Sequence, residues 1–249
     1  MADRGGALIT GAARRIGRAL ALTAAEAGYA VAIHHRHSDA EAHNLAEDIE
    51  ASGRRAAILS ADLADPAACA RLVAEAAEAT GGLSLLVNNA SIFDDDRIGT
   101  LTPATWDAHM AANLRAPVLL AQAFAAQASD GGLIVNILDQ RVWRPTPQFF
   151  SYAVSKAALW QATRMLAQAL APKIRVNGIG PGPTLPSAHQ SIADFDAEAR
   201  NVPLGHHTTP EEIAAALAYL IDARSVTGQM IAVDAGQHLA WRTPDVIAP

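Results

Sequence analysis

Tyr152 and Lys156 stand four residues apart, the spacing that puts two side chains on one face of a helix. A lysine ammonium beside a phenol favours phenolate by Coulomb attraction and is expected to lower a hydroxyl pKa that starts near ~10. A tyrosine so placed can donate and recover a proton near neutral pH. Taken alone, the Tyr-x-x-x-Lys pattern describes a plain helix surface equally well. Asp139 adds a carboxyl group thirteen residues before Tyr152, at the end of the apolar run Leu133 to Leu138. An ionised aspartate only accepts hydrogen bonds, so it does little for a ketone oxygen. A carboxyl group beside a ring nitrogen could instead pass it a proton, directly or through water, as hydride reaches the adjacent carbon of a C=N bond. Pro117 has no N–H, so a helix containing it leaves the carbonyl of Asn113 without its ladder partner and free to hold a water. A kink needed only for packing is the other reading of that proline.

A second constellation lies near the start of the chain. The strand-like Ala7 to Thr10 runs into Gly11-Ala12-Ala13-Arg14-Arg15-Ile16-Gly17 and then a helix. In such a setting a glycine turn lets the backbone approach a pyrophosphate, and the helix start offers unpaired N–H groups and a positive dipole end. The usual middle glycine is missing, so a plain tight turn stays open on the pattern alone. The second strand ends in His34-His35-Arg36-His37-Ser38, where NAD-binding sheets usually carry an acid for the ribose hydroxyls. With Arg14, Arg36 and the Ser38 hydroxyl at hand, and Asp39 and Glu41 assigned to the next helix start, this end is expected to take a 2′-phosphate and hence NADPH. No metal is expected. Neighbouring strand residues among His34, His35 and His37 point to opposite faces, and no second ligand cluster lies nearby in sequence. Asp62, with Leu63 beside it, follows the third strand, and Asn88-Asn89-Ala90-Ser91 follows the fourth. Both lie at strand carboxyl ends, where such sheets bind ligands, though Asp62 could equally cap a turn.

These groups need a scaffold, and short apolar runs alternating with alanine-rich stretches supply one. The runs Ala7–Ile9, Ala30–Ile33, Ala56–Leu59, Leu83–Val87, Leu133–Leu138, Ile174–Val176 and Met230–Val233 have the βαβ rhythm of a parallel sheet covered on both faces. The expected fold is therefore α/β: a Rossmann-type doubly wound parallel sheet of about seven strands in one domain spanning residues 1–249. Ser38 with Glu41 and Thr209 with Glu212 have capping-box spacing, while Pro66, Pro103 and Pro210 sit where a first helical turn would begin. The stretch from Pro181 to Pro203 reads as weakly structured, and residues 183–203 are expected to form a substrate lid.

Taken in order, the Thr10–Gly17 turn, Asn88-Asn89-Ala90, Asn113, Tyr152-x-x-x-Lys156, Pro181-Gly182 and Thr227-Gly228…Asp234-Ala235-Gly236 resemble the short-chain dehydrogenase/reductases over nearly the whole chain. The resemblance implies that Tyr152 is the proton donor, that Lys156 binds the nicotinamide ribose and tunes the tyrosine, and that Asn113 holds a relay water. It also implies cofactor contacts at Asn89, Ala90, Pro181 and Gly182. Most members carry a serine where this chain has Asp139. In that departure, in the arginine-bearing glycine turn, in the basic His34–Ser38 stretch and in Asn89-Ala90-Ser91-Ile92-Phe93, the chain resembles the pteridine and dihydromonapterin reductases. That likeness implies that Arg15 and Ser91 touch both cofactor and pterin, that Phe93 stacks on the pterin ring opposite the nicotinamide, and that Thr184 contacts a cofactor phosphate. A planar heteroaromatic suits an aromatic face, though Phe93 also reads as ordinary packing. The expected reaction is NADPH-dependent reduction of a dihydropterin (dihydromonapterin, dihydrobiopterin or dihydrofolate) to the tetrahydro form. A carbonyl reductase for a ketone or 3-oxoacyl thioester and an idle NADPH-binding scaffold or sensor are the alternatives.

Composition narrows the partners. The 249 residues are 51% hydrophobic and carry a net charge of -6 without a long run of one sign, so a nucleic-acid footprint is not expected. The partner should be a small molecule. Cys69, the only cysteine, excludes an intramolecular disulfide and reads as a small core residue. The first residues are too short an apolar run for a signal peptide or membrane span, which sets a cytoplasmic expectation. The apolar stretches Leu114–Ala128 and Ala157–Leu170 and the family resemblance lead to an expected homotetramer, with the tail around Trp241 and Arg242 reaching a neighbouring site.

Overall fold

The computed structural model describes residues 4–128, 131–186 and 190–241. Seven strands form one parallel sheet: β1 (Gly6–Ile9), β2 (Ala30–His35), β3 (Ala56–Ser60), β4 (Leu83–Asn88), β5 (Gly132–Ile137), β6 (Ile174–Pro181) and β7 (Met230–Val233). Their order across the sheet is β3-β2-β1-β4-β5-β6-β7. Every residue of β1, β2 and β5 is buried, as continuous apolar runs covered on both faces must be.

Helices α1 (Arg15–Ala27), α2 (Asp39–Ala51) and α8 (Pro210–Asp222) cover one face, where Leu20, Leu45, Ile49, Ile213 and Leu217 pack on Ile9, Val31 and Val135. On the other face, α3 (Pro66–Thr80), α5 (Ala116–Gln127) and α6 (Phe150–Leu170) set Leu72, Leu120, Phe124 and Ala167 against Leu8, Leu86 and Ile134. Helices α4 (Pro103–Met110) and α7 (Ile192–Arg200) are the other α-helices among the described residues.

Local chemistry explains the helix starts. Asp65, Thr102 and Thr209 cap α3, α4 and α8 with their side chains, each followed by proline at the first turn, and Thr209 with Glu212 closes a full capping box. Ser38 departs from the expectation: its side chain makes no capping bond to α2. Glu41 stands instead 3.7 Å from Arg14, across the turn after β1. A second correction concerns the stretch after β6, since residues 192–200 form α7, with Ser191 accepting from the Asp194 amide at its start. Residues 187–189 of the expected lid lie outside the described residues.

The strand order reverses between β1 and β4, and the crevice beyond the carboxyl ends of these two strands is where doubly wound sheets bind ligands. The Thr10 hydroxyl accepts from the Asn89 and Ala90 amides there, and the Asn89 side chain donates to the carbonyls of Thr10 and Gly11. Gly17 is required by close packing, since a Cβ would lie 2.1 Å from the Gly11 oxygen.

Candidate active site

Two clefts meet at this crevice. One, of about 410 Å³, is lined by Gly11, Arg14, Arg15, Ile16 and Gly17 from the glycine turn, by His34 to Ser38, by Asp62 and Leu63, and by Asn89, Ala90 and Ser91. The other, of about 540 Å³, shares Arg15, Ile16, Asn89 and Ser91 and adds Phe93, Asp139, Tyr152, Lys156, Pro181, Gly182 and Thr184. Every candidate site residue read from the sequence therefore lines this groove except Asn113, which is wholly buried behind it. A π-helical turn, Ala111–Arg115, carries Asn113 between α4 and α5, immediately before the helix-disrupting Pro117. Its side chain accepts from the Ile92 amide and the Ser91 hydroxyl and donates to the Ile92 carbonyl and the Ser155 hydroxyl.

At the nucleotide-binding end, His34 is spent on the fold itself. Its Nδ1 accepts from the Gly11 amide at 3.0 Å, which leaves Nε2 to donate to the Ala61 carbonyl at 3.1 Å. Burial pushes its pKa down to about 4, so the ring is neutral. His34 thus ties the turn after β1 to the end of β3. Acids stand closer to the basic rim than the sequence implied, with Asp62 3.8 Å from Arg36 and Asp39 3.7 Å from His35. Asp62 also accepts from the Ala64 amide, so the turn-capping reading holds for one of its oxygens. The Nδ1 of His35 is buried without a partner beside this rim.

In the second cleft the Tyr152 hydroxyl donates to Asp139 Oδ2 at 2.8 Å. Asp139, two residues beyond β5, caps a short 3₁₀ turn, taking the Arg141 amide on Oδ1 and the Arg141 guanidinium on Oδ2. Burial, then the negative charge and hydrogen bond of Asp139, push the Tyr152 pKa well above its ordinary value, while Arg141 opposes them. The expected lowering of that pKa by Lys156 is therefore overturned, because desolvation and a neighbouring carboxylate act in the other direction. The Lys156 ammonium donates to the Ile137 carbonyl at 2.8 Å and stands 5.7 Å from the Tyr152 ring centroid. Burial lowers its pKa to about 8, against the pull of Asp139.

Phe93 meets Tyr152 edge-on at 4.6 Å, but Phe149 is stacked on it at 4.3 Å with the rings 13° from parallel. One face of Phe93 is thus already covered by protein. Arg15 sends its guanidinium to the carbonyls of Leu185 and Pro186, holding the start of the expected lid. The Thr184 hydroxyl pairs with Thr208 and the Gly182 carbonyl. Among the described residues, three that are not glycine have positive φ: Arg15 (53°), Phe149 (52°) and Ala235 (50°). The first two line the second cleft, in keeping with the clustering of backbone strain at functional sites.

Several cleft residues escaped the sequence reading. Arg141 lies over the Phe93 and Phe149 rings, its guanidinium carbon 5.6 and 5.4 Å from their centroids. Glu198 on α7 binds the amides of Gln190 and Gln237, one on each carboxylate oxygen. The run Asp139-Gln140-Arg141 held a signal for Arg141, since an acid at an N-cap position draws the residues after it. Glu198 and Gln237 are brought together only by tertiary folding. The Trp241 end of the tail is exposed, while Arg242 lies outside the described residues.

A switch-point crevice with a glycine turn at one end and a buried tyrosine–carboxylate–lysine group at the other defines a nucleotide-binding α/β protein with acid–base chemistry. A family model described as Enoyl-(Acyl carrier protein) reductase matches residues 11–238. A "Short-chain type dehydrogenase/reductase" of Picea abies is 33% identical over 93% of this chain and 91% of its own length. The "3-oxoacyl-[acyl-carrier-protein] reductase FabG" of Staphylococcus aureus (strain Mu50 / ATCC 700699) is 30% identical over 94% of this chain and 98% of its own. Among solved structures, "FolM Alternative dihydrofolate reductase 1" from Brucella canis, complexed with NADP, is 48% identical with a TM-score of 0.95, covering 99% of both chains. The chain belongs to the short-chain dehydrogenase/reductase family of oxidoreductases.

Proposed function

We propose that this chain is an NADPH-dependent reductase of a dihydropterin, with dihydromonapterin, dihydrobiopterin or dihydrofolate as the substrate class and the tetrahydropterin as product. The observation that carries the reading is the 2.8 Å bond from the Tyr152 hydroxyl to Asp139 on the wall of the cleft. The likeness to the NADP-complexed Brucella canis protein supports it.

The residues present fit the cofactor. A Cβ at Gly11 would lie 3.0 Å from the Ala90 Cα, so only glycine fits where the turn packs, and the start of α1, which no side chain caps, offers its amides to a pyrophosphate. Arg14, Arg36, His37 and Ser38 offer donors to a 2′-phosphate. NADPH supplies the hydride. Residues Gly11, Arg14 to Gly17, Asp62, Leu63, Asn89 to Ser91, Pro181, Gly182 and Thr184 would hold it, with Lys156 on its ribose.

Tyr152 and Asp139 share one proton across their hydrogen bond and so act as one acid, giving that proton to the ring nitrogen that becomes basic when its neighbouring carbon is reduced. Lys156 and Arg141 supply positive charge that steadies the pair once the proton has left. Asn113 carries the relay water on its carbonyl, and Arg15, Ser91 and Phe93 line the pterin face. Residues 183–203 act as the lid, its start held by Arg15 and its Glu198 tied to Gln237.

The experiment is NADPH oxidation measured side by side with dihydropterins, dihydrofolate and a 3-oxoacyl thioester. Preference for the thioester would overturn the pterin reading in favour of carbonyl reduction, to which the Staphylococcus aureus relative points. Pairing of α5 and α6 across a two-fold axis would join two chains, and the likeness to the family, with a second axis, leads to a homotetramer. Sedimentation should show four chains at micromolar concentration, and a monomer refutes this.

A further inference from the structure

Phe93 sits between two anchored residues. On one side Asn113 grips both the amide and the carbonyl of Ile92. On the other, the wholly buried His109 accepts from the Asp94 amide through Nε2 at 3.2 Å. That bond fixes the tautomer, so Nδ1 carries the hydrogen and donates to the Ser151 hydroxyl at 2.6 Å. Ser151 in turn donates to the buried carboxylate of Asp96.

His109 and Asn113 lie one helical turn apart, and so do their partners Ser151 and Ser155 on α6. The two bonds form parallel rungs between the helices, each next in sequence to Tyr152 or Lys156. Asp96 completes the join. The first residue of α6 follows Phe149, whose left-handed backbone and apolar side chain provide no cap. Asp96 does that work from the loop: its carbonyl accepts from the Phe150 amide and its carboxylate from the Ser151 amide. A carboxylate is also the favoured charge at a helix N-terminus. The loop carrying Phe93 and the helix start carrying Tyr152 are therefore one hydrogen-bonded unit.

We propose that His109 is a positioning residue that fixes the Phe93 ring relative to the Tyr152 hydroxyl, by holding Asp94 and Ser151 at once through its two ring nitrogens. It touches no reacting atom. It sets the width of the slot in which a planar substrate is held against its proton donor, and this role rests on the dihydropterin reading for the identity of the substrate.

Two substitutions divide the device. His109→Gln places an oxygen near the old Nε2 and keeps an acceptor for Asp94. His109→Asn keeps a donor near the old Nδ1 for Ser151 and releases Asp94. The asparagine variant should raise KM for dihydropterin by roughly tenfold, the scale of one lost hydrogen bond, with the NADPH dissociation constant unchanged. The glutamine variant should recover most of that loss. Hydrogen exchange at residues 94–96 should quicken in the asparagine variant and stay slow in the glutamine one. Ser151→Ala, which cuts the rung from the other side, should quicken exchange at residues 150–151 and serves if the histidine variants fail to fold. A purely structural histidine would lower thermal stability in both variants and leave KM and the local exchange pattern alike in the two, which overturns the proposal. The exchange arm needs no substrate, so a wild-type enzyme that ignores dihydropterins refutes the function proposed above while His109 is still judged by exchange.

Discussion

The Tyr152 hydroxyl and the Asp139 carboxylate are joined at 2.8 Å, and both residues are buried. A serine in place of the carboxylate would offer a donor to a carbonyl oxygen, whereas this carboxylate takes donors on both of its oxygens. Imine and ketone chemistry should therefore part at this position.

Asp139→Ala should cut dihydropterin turnover by roughly 10²- to 10⁴-fold, the usual worth of a general acid, with NADPH affinity nearly unchanged. Asp139→Ser should restore little pterin activity yet admit some ketone reduction, since its hydroxyl can donate while Tyr152 supplies the proton. Values of kcat and KM for both variants on one dihydropterin and one ketone decide the matter. Unaltered pterin turnover in the alanine variant would remove the chemical case for a pterin.

Cofactor choice should follow the basic rim. Arg14 and Arg36 are paired to Glu41 and Asp62 only at 3.7 and 3.8 Å and in the open, where ion pairs are weak and readily exchanged for a phosphate. NADPH should bind at least ~100-fold more tightly than NADH, the scale of two charge-assisted contacts. Arg36→Ala should narrow the gap by about tenfold. Comparable dissociation constants for the two nucleotides in the wild type would sink this reading.

The sheet was legible because buried parallel strands write themselves as apolar runs, and the turn at Gly11 because only certain residues fit a close backbone approach. Tyr152 and Lys156 were legible through helical spacing. What the sequence concealed depends on distance in the chain. The stacking of Phe149 on Phe93 joins residues 56 positions apart, and no local pattern announces it. The same holds for the tyrosine pKa, whose direction comes from burial and from Asp139 rather than from the lysine one turn away. Ser38 shows the converse failure: its spacing to Glu41 suits a capping box, but its side chain makes no capping bond and Glu41 stands 3.7 Å from Arg14.

Stability should depend on His34. In the fold its ring stays neutral down to about 4, because burial disfavours the charged form and protonation would also cost the bond that Nδ1 accepts from the Gly11 amide, whereas in the unfolded chain it takes up a proton below about 6.5. As pH falls through that window the unfolded chain binds the extra proton, and this contribution to stability is lost progressively, by up to ~3 kcal/mol. His34→Asn keeps an acceptor near Gly11 and cannot titrate. Its unfolding free energy, followed by urea denaturation, should fall less steeply with acidification than that of the wild type. Parallel slopes would show that His34 does not govern the acid limb.

Lys156 should produce opposite trends in activity and stability at alkaline pH. Its ammonium is buried, held by the Ile137 carbonyl, and burial brings its pKa to about 8. Above that value the lysine loses the charge that steadies the Tyr152–Asp139 pair after proton transfer, so kcat should decline as pH rises through about 8. The unfolded chain keeps its lysine proton up to about 10.4. Between those two values the unfolded state binds more protons, so this group's contribution to folding stability rises with pH while turnover falls. Lys156→Arg stays charged throughout and should lose the alkaline decline, at a lower overall rate because a planar guanidinium does not fit an ammonium's place. Lys156→Met should be poor at every pH. A kcat profile that is flat through 8 in the wild type, or that declines identically in the arginine variant, would show that the lysine charge is not what the reaction requires.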